Sequence, residues 1–123
     1  MKKSKSNRQK LVNKIYTLVC KIVHARGACE LCRKTSGKLD LHHIQGRVGI
    51  LKYWLPNCIL LCFNCHSRGV HNEAPAIQHK YRQQIISKRG NIDDLILLKS
   101  QKHSIIDLEQ LYNAYLLLIK NDV

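Results

Sequence analysis

The sequence predicts an α+β protein with a small metal-stabilised core flanked by α-helices. Four cysteines form two Cys-x-x-Cys pairs, Cys29/Cys32 and Cys62/Cys65. Between the pairs, the alternation of apolar and polar residues at 39–44 predicts a short β-strand. Apolar residues recur at helical spacing on both sides of this segment. We therefore expect helices, a strand-containing core and a metal to combine within one fold.

A chain of 123 residues is expected to form one compact domain. The first ten residues are polar and basic, and we expect them to be disordered without a partner. Three segments follow from the pattern: a basic tail with an amphipathic helix (1–28), a zinc-stabilised core (29–75) and a C-terminal helical extension (76–123).

The first helix should cover residues 8–26 and stop at Gly27. Within it, Cys20 is expected to be a small buried apolar residue. His24 lies close to Cys29 in sequence and could in principle bind a metal.

After the predicted strand, Pro56-Asn57 marks a turn, and the apolar run 58–61 leads the chain to the second cysteine pair. Cys58 is expected to lie in the core. A helical turn starting near Cys65 should carry His66, with Gly69 limiting its length.

The C-terminal segment predicts further helices. One should begin beyond Pro75 and end near Gly90, and another should run from Ser104 to about Lys120. The segment 92–98 fits either a helix or a strand. Their apolar faces must pack on the first helix, on the metal core or on a second copy of the chain, so a homodimer through the C-terminal helices is possible.

The chain is strongly basic, with 21 Lys and Arg against 8 Asp and Glu, a formal charge of +13. Such an excess favours nucleic acid over an anionic membrane surface as the binding partner, because Lys and Arg neutralise phosphates and release counterions. No apolar run approaches the roughly 20 residues that span a bilayer, and no signal-type segment follows the basic start. A cytoplasmic location is therefore expected, where structural disulfides are rare.

The spacing of the four paired cysteines matches a tetrahedral zinc site, since each two-residue spacer lets both sulfurs of a pair reach one ion. The alternative is a redox role for one of the pairs. The sequence argues against it, because neither pair lies in the strand–helix context typical of thioredoxin-like proteins. Four thiolates leave no open position on the ion, so this zinc should stabilise the fold and take no part in chemistry.

Three histidines and one asparagine accompany these cysteines. His42 and His43 are adjacent on the predicted strand and point in different directions, so one could bind a metal while the other acts as a general base. His66 follows a zinc cysteine directly and could return to the same place. The alternative is that these histidines are ordinary surface or core residues without a functional role. Their clustering with Asn57 in one segment argues against this alternative.

These residues resemble the HNH endonucleases, a family with a ββα-metal fold, in the variant with two Cys-x-x-Cys pairs and a His-His-x-x-Gly-Arg signature that is common in phage and bacterial genomes. The resemblance spans about residues 29–75 and rests on three matching runs: His42-His43-Ile44-Gln45-Gly46-Arg47, Leu55-Pro56-Asn57 and Leu61-Cys62-Phe63-Asn64-Cys65-His66.

The resemblance implies a DNA endonuclease with a role for each matched residue, in the cytoplasm of a bacterium or phage-infected cell. His42 and His66 would bind one divalent ion, such as Mg²⁺, Mn²⁺ or Ni²⁺, and His43 would activate water as the general base. Asn57 would brace the loop that orients His43, and Arg47 would bind a DNA phosphate.

His71 is a possible further ligand, since some family members have a His or Asn one turn after the position of His66. It lies at i+5 from His66, which is off the face of a regular helix, so it should reach the metal only if Gly69 breaks the helix. The alternative to an enzyme is a zinc-stabilised nucleic-acid-binding module without catalysis, which would have little need for a base at His43.

Overall fold

The computed structural model describes residues 6–102 and 105–121 and has mixed helical and strand structure, which confirms the α+β class. Five α-helices and one two-stranded sheet lie within the described ranges. Short 3₁₀ turns at Gly49–Lys52 and Leu55–Asn57 join the two strands. The elements in chain order are α1 (Asn7–His24), β1 (Leu39–His43), β2 (Cys58–Cys62), α2 (Phe63–Cys65), a π-helical turn (His66–Val70), α3 (Pro75–Arg89), α4 (Asp93–Lys99) and α5 (Leu108–Asn121).

Helix α1 begins earlier than the sequence predicts. The hydroxyl of Ser6 accepts a hydrogen bond of 3.1 Å from the backbone N–H of Gln9, and this cap starts the helix at Asn7. The expected disorder of residues 1–10 is therefore wrong for 7–10, while residues 1–5 lie outside the described part of the chain. The predicted apolar face is confirmed, and its buried side chains are Ile15, Leu18, Val19 and Val23.

The two strands form an antiparallel pair in the register Leu39↔Cys62 to His43↔Cys58. Strand β2 is buried at every position and separates two apolar clusters. Leu60 packs in the cluster with α1 and α5, whereas Ile59 and Leu61 pack in the cluster with the cysteines and α3. This division follows the alternation of side chains along a strand. The sheet thus carries its metal-binding elements on the face opposite to α1.

The C-terminal helices complete these two clusters. Helix α3 ends as predicted at Gly90, which has a φ of 94°, and the ambiguous segment 92–98 forms helix α4. Helix α5 begins at Leu108, later than the predicted Ser104, because Asp107 accepts a bond of 3.1 Å from the N–H of Gln110. Residue 104 itself lies outside the described ranges.

Helix α5 packs against α1, which was one of the predicted partners for its apolar face. The Tyr115 hydroxyl accepts a hydrogen bond of 3.0 Å from the N–H of Leu55, which joins α5 to the core. Leu117 and Leu118 remain exposed, and the homodimer through these helices stays a prediction. None of the helices in the described residues has both the length and the apolar character needed to cross a membrane.

Candidate active site and metal centres

The four paired cysteines come together as the sequence predicts. The sulfur atoms of Cys29, Cys32, Cys62 and Cys65 all lie within 4.8 Å of one another, and the Sγ atoms of Cys32 and Cys62 are 3.5 Å apart. Sulfurs bound to one tetrahedral zinc at ~2.3 Å are about 3.8 Å apart, so this arrangement fits such an ion. The cluster can hold a structural metal such as zinc. Cys58 is buried in the core, as predicted, and Cys20 is only half-buried.

Backbone hydrogen bonds around the first cysteine pair favour the thiolate form of Cys29. Burial disfavours the charged form of the Cys29 thiol. Hydrogen bonds from the backbone N–H groups of Cys32, Cys62 and Leu31 outweigh this effect and lower the pKa of Cys29 to about 6. A thiol that ionises readily suits a metal ligand, because the thiolate is the form that binds zinc.

Glu30 ties this turn to strand β2. Its carboxylate accepts a bond of 2.6 Å from the N–H of Leu60, and its own N–H donates to the Leu60 carbonyl over 2.8 Å. Arg26 forms an ion pair of 2.8 Å with the same carboxylate. These bonds hold the first cysteine turn beside β2, and the second cysteine pair begins at the end of that strand.

A second cluster contains three histidines. Strand β1 supplies His42, the π-helical turn begins with His66, and His71 follows that turn directly. One ring nitrogen from each lies within 4.8 Å of the other two, and the Nε2 atoms of His66 and His71 are 3.1 Å apart. Two nitrogens at ~2.1 Å from one ion are about 3.0 Å apart at a right angle, so the pair fits neighbouring ligands of one cation.

The electrostatics of this cluster favour neutral imidazole. Burial, together with the nearby charges of His66 and His71, lowers the pKa of His42 to about 3. The pKa of His71 is also lowered, by burial and by the charges of His66 and Arg82. Neutral imidazole is the form that binds metals, so these rings are ready to accept a cation at neutral pH.

The π-helical turn explains how His71 joins the cluster. The expectation that Gly69 must break the helix is wrong. The chain instead widens by one residue, so that the N–H of His71 donates to the carbonyl of His66 over 3.0 Å. In such a turn, residues i and i+5 lie on the same face. Gly69 allows it because the ring of Tyr81 packs where a β-carbon would be.

Asp40 is a member of the site that the sequence analysis missed. Its carboxylate lies 3.4 Å from Nδ1 of His66, which leaves Nε2 of His66 directed towards the other histidines. Asp40 precedes His42 by two residues on β1, so both side chains leave the strand on the same face. This i, i+2 spacing was the signal available in the sequence.

His43 is held by different groups from His42. Its Nε2 donates to the carbonyl of Lys52 over 2.9 Å, which leaves Nδ1 as the acceptor. Its ring stacks on Tyr16, with centroids 6.1 Å apart. Burial lowers the pKa of His43 and the charges of Arg47 and Lys52 act in the same direction, against the raising effect of the bond to the Lys52 carbonyl. A neutral ring with a free Nδ1 can accept a proton.

Asn57 is fully buried, and its side chain forms hydrogen bonds with three backbone groups of the loop that follows β1. Its Oδ1 accepts from the N–H of Gln45, and its Nδ2 donates to the carbonyls of Gly46 and Leu51, each over 2.9 Å. The turn containing Leu51 also contains Lys52, whose carbonyl holds His43. Asn57 thus braces the backbone that positions the His43 ring.

One cleft of about 630 Å³ is lined by the predicted residues His42, His43, Arg47, His66 and His71, but not by Asn57. Its walls also include side chains of α3 and α4, which the sequence analysis did not assign to a site. The lining includes His42, His43, Arg47, His66, His71, His79, Arg82, Gln83 and Lys99.

Arg47 is exposed and lies 5.7 Å from the centroid of the Tyr16 ring, at the His43 side of the cleft. His24 is in neither metal cluster of the described residues, and its ring bonds the carbonyl of Cys20 on the exposed surface. The arrangement can bind a cation and accept a proton beside it. No protein-family model, curated protein or solved structure that was searched matches this chain.

Proposed function

We propose that this protein is a metal-dependent DNA endonuclease of the HNH type, in which β1, β2, α2 and the π-helical turn form a ββα-metal core. The observation that carries the proposal is the convergence of three potential ligands and a separately held histidine in one cleft. The ligands are His42, His66 and His71, and the separate residue is His43. A structural zinc at the four cysteines supports this core without taking part in the reaction.

His43 is the proposed general base. Its Nε2 is engaged with the Lys52 carbonyl, so a water molecule in the cleft would transfer its proton to Nδ1 while its oxygen attacks the phosphorus in line. Asn57 keeps that geometry by holding the loop that contains the carbonyl. The lowered pKa of His43 favours the unprotonated ring that this role requires.

The three-histidine cluster is the proposed site of one divalent ion. Mg²⁺, Mn²⁺ or Ni²⁺ bound there would supply positive charge to the phosphate and to the departing 3′ oxygen. Asp40 orients His66 through Nδ1, and burial together with the neighbouring histidines keeps His42 neutral and available as a ligand. Arg47 is placed to bind a phosphate at the His43 end of the cleft, where its guanidinium can contact two oxygens.

DNA is the proposed partner because of the charge of the chain. Up to Ala28 the sequence contains eight Lys or Arg and no acidic residue. Four of the eight, Arg8, Lys10, Lys14 and Lys21, are exposed on α1, whose apolar side packs in the core. Phosphate contacts of this kind give affinity without sequence preference.

Plasmid cleavage tests the proposal. Zinc-loaded protein is incubated with supercoiled plasmid and Mg²⁺, Mn²⁺ or Ni²⁺, and wild type is compared with His43→Ala. We expect nicked or linear DNA with wild type and a loss of at least 100-fold with His43→Ala. His24→Ala is the matched control, since His24 is an exposed histidine outside both clusters, and it should cleave like wild type.

The runner-up function is a DNA-binding module without catalysis, which the basic charge and the cysteine cluster alone would explain. Binding of DNA with no cleavage by any of the proteins would establish that function. Equal cleavage by wild type and His43→Ala would reject His43 as the base.

A further inference from the structure

Helix α3 has an unusual division between its two sides. Its inner side is anchored: Ile85 is buried, and the ring of Tyr81 packs on Gly69. Arg89 fixes the end of the helix through a 2.8 Å bond to the carbonyl of Pro56 and a 2.9 Å ion pair with Asp94. The helix is therefore a rigid part of the core and not a loose extension.

The outer side of α3 is basic and exposed. Its 15 residues include no acidic residue, and Lys80 and Arg82 both point to solvent. Within residues 6–102 and 105–121, none of the ion pairs involves either of these side chains. A fixed helix with uncompensated positive charge presents a surface that complements phosphate.

This basic side continues directly from the active-site cleft. His79 and Gln83 line the cleft and also line a second concavity, of about 780 Å³, that extends along α3 towards Leu31 in the first cysteine turn. Lys80 lies in the second concavity. Arg82 lies in the first, and its charge acts on two of the three clustered histidines. The two concavities adjoin at His79 and Gln83, and we call them together the groove.

We propose that the outer side of α3 is a DNA-binding surface, in which Arg82 binds a phosphate next to the metal site and Lys80 binds the DNA backbone further along the groove. This inference rests on the proposed function and adds a contact surface outside the segment that resembles the nuclease family. DNA bound there would contact basic side chains on two parts of the cleft lining, Arg47 and the α3 residue Arg82.

DNA binding tests the surface without requiring cleavage. The full chain with His43→Ala binds a fluorescent 20-base-pair duplex, and Kd is measured between 50 and 200 mM salt. The double variant Lys80→Gln/Arg82→Gln is compared with Lys102→Gln/Lys120→Gln, which removes the same charge from exposed positions that line neither concavity. Each lost phosphate contact reduces the slope of log Kd against log salt by about 0.9.

Relative to the His43→Ala chain, which is the background of both pairs of substitutions, we expect the slope to fall by about 1.8 with the α3 pair and to remain unchanged within error with the control pair. Equal effects of the two pairs would overturn the assignment of α3, whatever the plasmid assay shows. Absence of duplex binding by the His43→Ala chain would overturn it as well. Circular dichroism and zinc content verify that the three proteins are folded.

A kinetic comparison separates Arg82 from Lys80. At saturating DNA, Arg82→Gln should lower kcat by about 10- to 100-fold, as expected for one charge-assisted contact, and Lys80→Gln should raise KM with little change in kcat. The same effect from both substitutions would reject a position for Arg82 beside the reacting phosphate. Inactive wild-type protein would reject the nuclease proposal, and the salt dependence would then decide on the surface alone.

Discussion

The close packing of Gly69 against Tyr81 gives a sharp test of how the metal site is assembled. A β-carbon at Gly69 would lie 2.5 Å from Cδ1 of the Tyr81 ring and 2.7 Å from Cε1 and Cγ. Carbon atoms in contact are ~3.5 Å apart or more, so Gly69→Ala must displace the ring or the π-helical turn by about 1 Å. Overpacking of this size costs about 1–3 kcal/mol, more than the gain of up to ~1 kcal/mol from the helix propensity of alanine.

The displaced turn is the segment that brings His66 and His71 together. Their Nε2 atoms are 3.1 Å apart, and a shift of about 1 Å would separate one of them from a shared ion. We expect Gly69→Ala to lower the melting temperature, by roughly 3–6 °C for each kcal/mol of stability that the substitution removes. Its affinity for Mn²⁺, measured by EPR titration of zinc-loaded protein, should fall by about tenfold or more.

A second substitution verifies the cause. Tyr81→Ala removes the ring that the new methyl group would strike, so the cost of Gly69→Ala should be smaller in that background. The double-mutant cycle should give a coupling of about 1 kcal/mol or more between the two positions. Unchanged stability and Mn²⁺ affinity in Gly69→Ala, or strictly additive effects, would refute this explanation of the π-helical turn.

Three further predictions concern stability. Asn57→Ala leaves three backbone groups without their side-chain partner and should cost about 2–4 kcal/mol in urea unfolding; a cost below ~1 kcal/mol would show that Asn57 is not a brace. Cys32→Ser should lose zinc and much of the folded structure, whereas Cys20→Ser should keep one zinc per chain by elemental analysis. Burial raises the pKa of Tyr115 to about 12 in the folded protein, so the unfolded chain releases this proton first. The contribution of Tyr115 to stability should therefore be constant below pH 10 and be lost as the pH rises towards 12, so stability should fall less steeply over this range in Tyr115→Phe, and equal slopes in urea unfolding would contradict this.

Local sequence patterns predicted the parts of the site that depend on short spacing. Two intervening residues place both sulfurs of Cys29/Cys32 on one side of a turn, and the structure brings them to the other pair. Alternation along a strand correctly separated His42 from His43, which face different partners. These features follow from the chain within a few residues of each position, so no knowledge of the tertiary fold was needed.

Features that depend on contacts distant in sequence were missed. The π-helical turn that recruits His71 packs through Gly69 against the ring of Tyr81, and Tyr81 belongs to a later helix. Arg82 joins the cleft only because α3 is anchored across the sheet from α1. The start of α1 was predicted to within one residue, but the expected disorder of residues 7–10 was wrong because the Ser6 cap lies in a basic segment that looked disordered.

The most direct test of the account is a chelation experiment that separates the two metal sites. Zinc-loaded protein is treated briefly with EDTA, and plasmid cleavage, zinc content and circular dichroism are measured on the same sample before and after Mn²⁺ is added. We predict that cleavage stops while one zinc per chain and the helical signal remain, and that Mn²⁺ restores cleavage without added zinc. Cleavage that continues in EDTA, or that is lost only together with zinc and the fold, would contradict the division into a structural cysteine site and a catalytic histidine site.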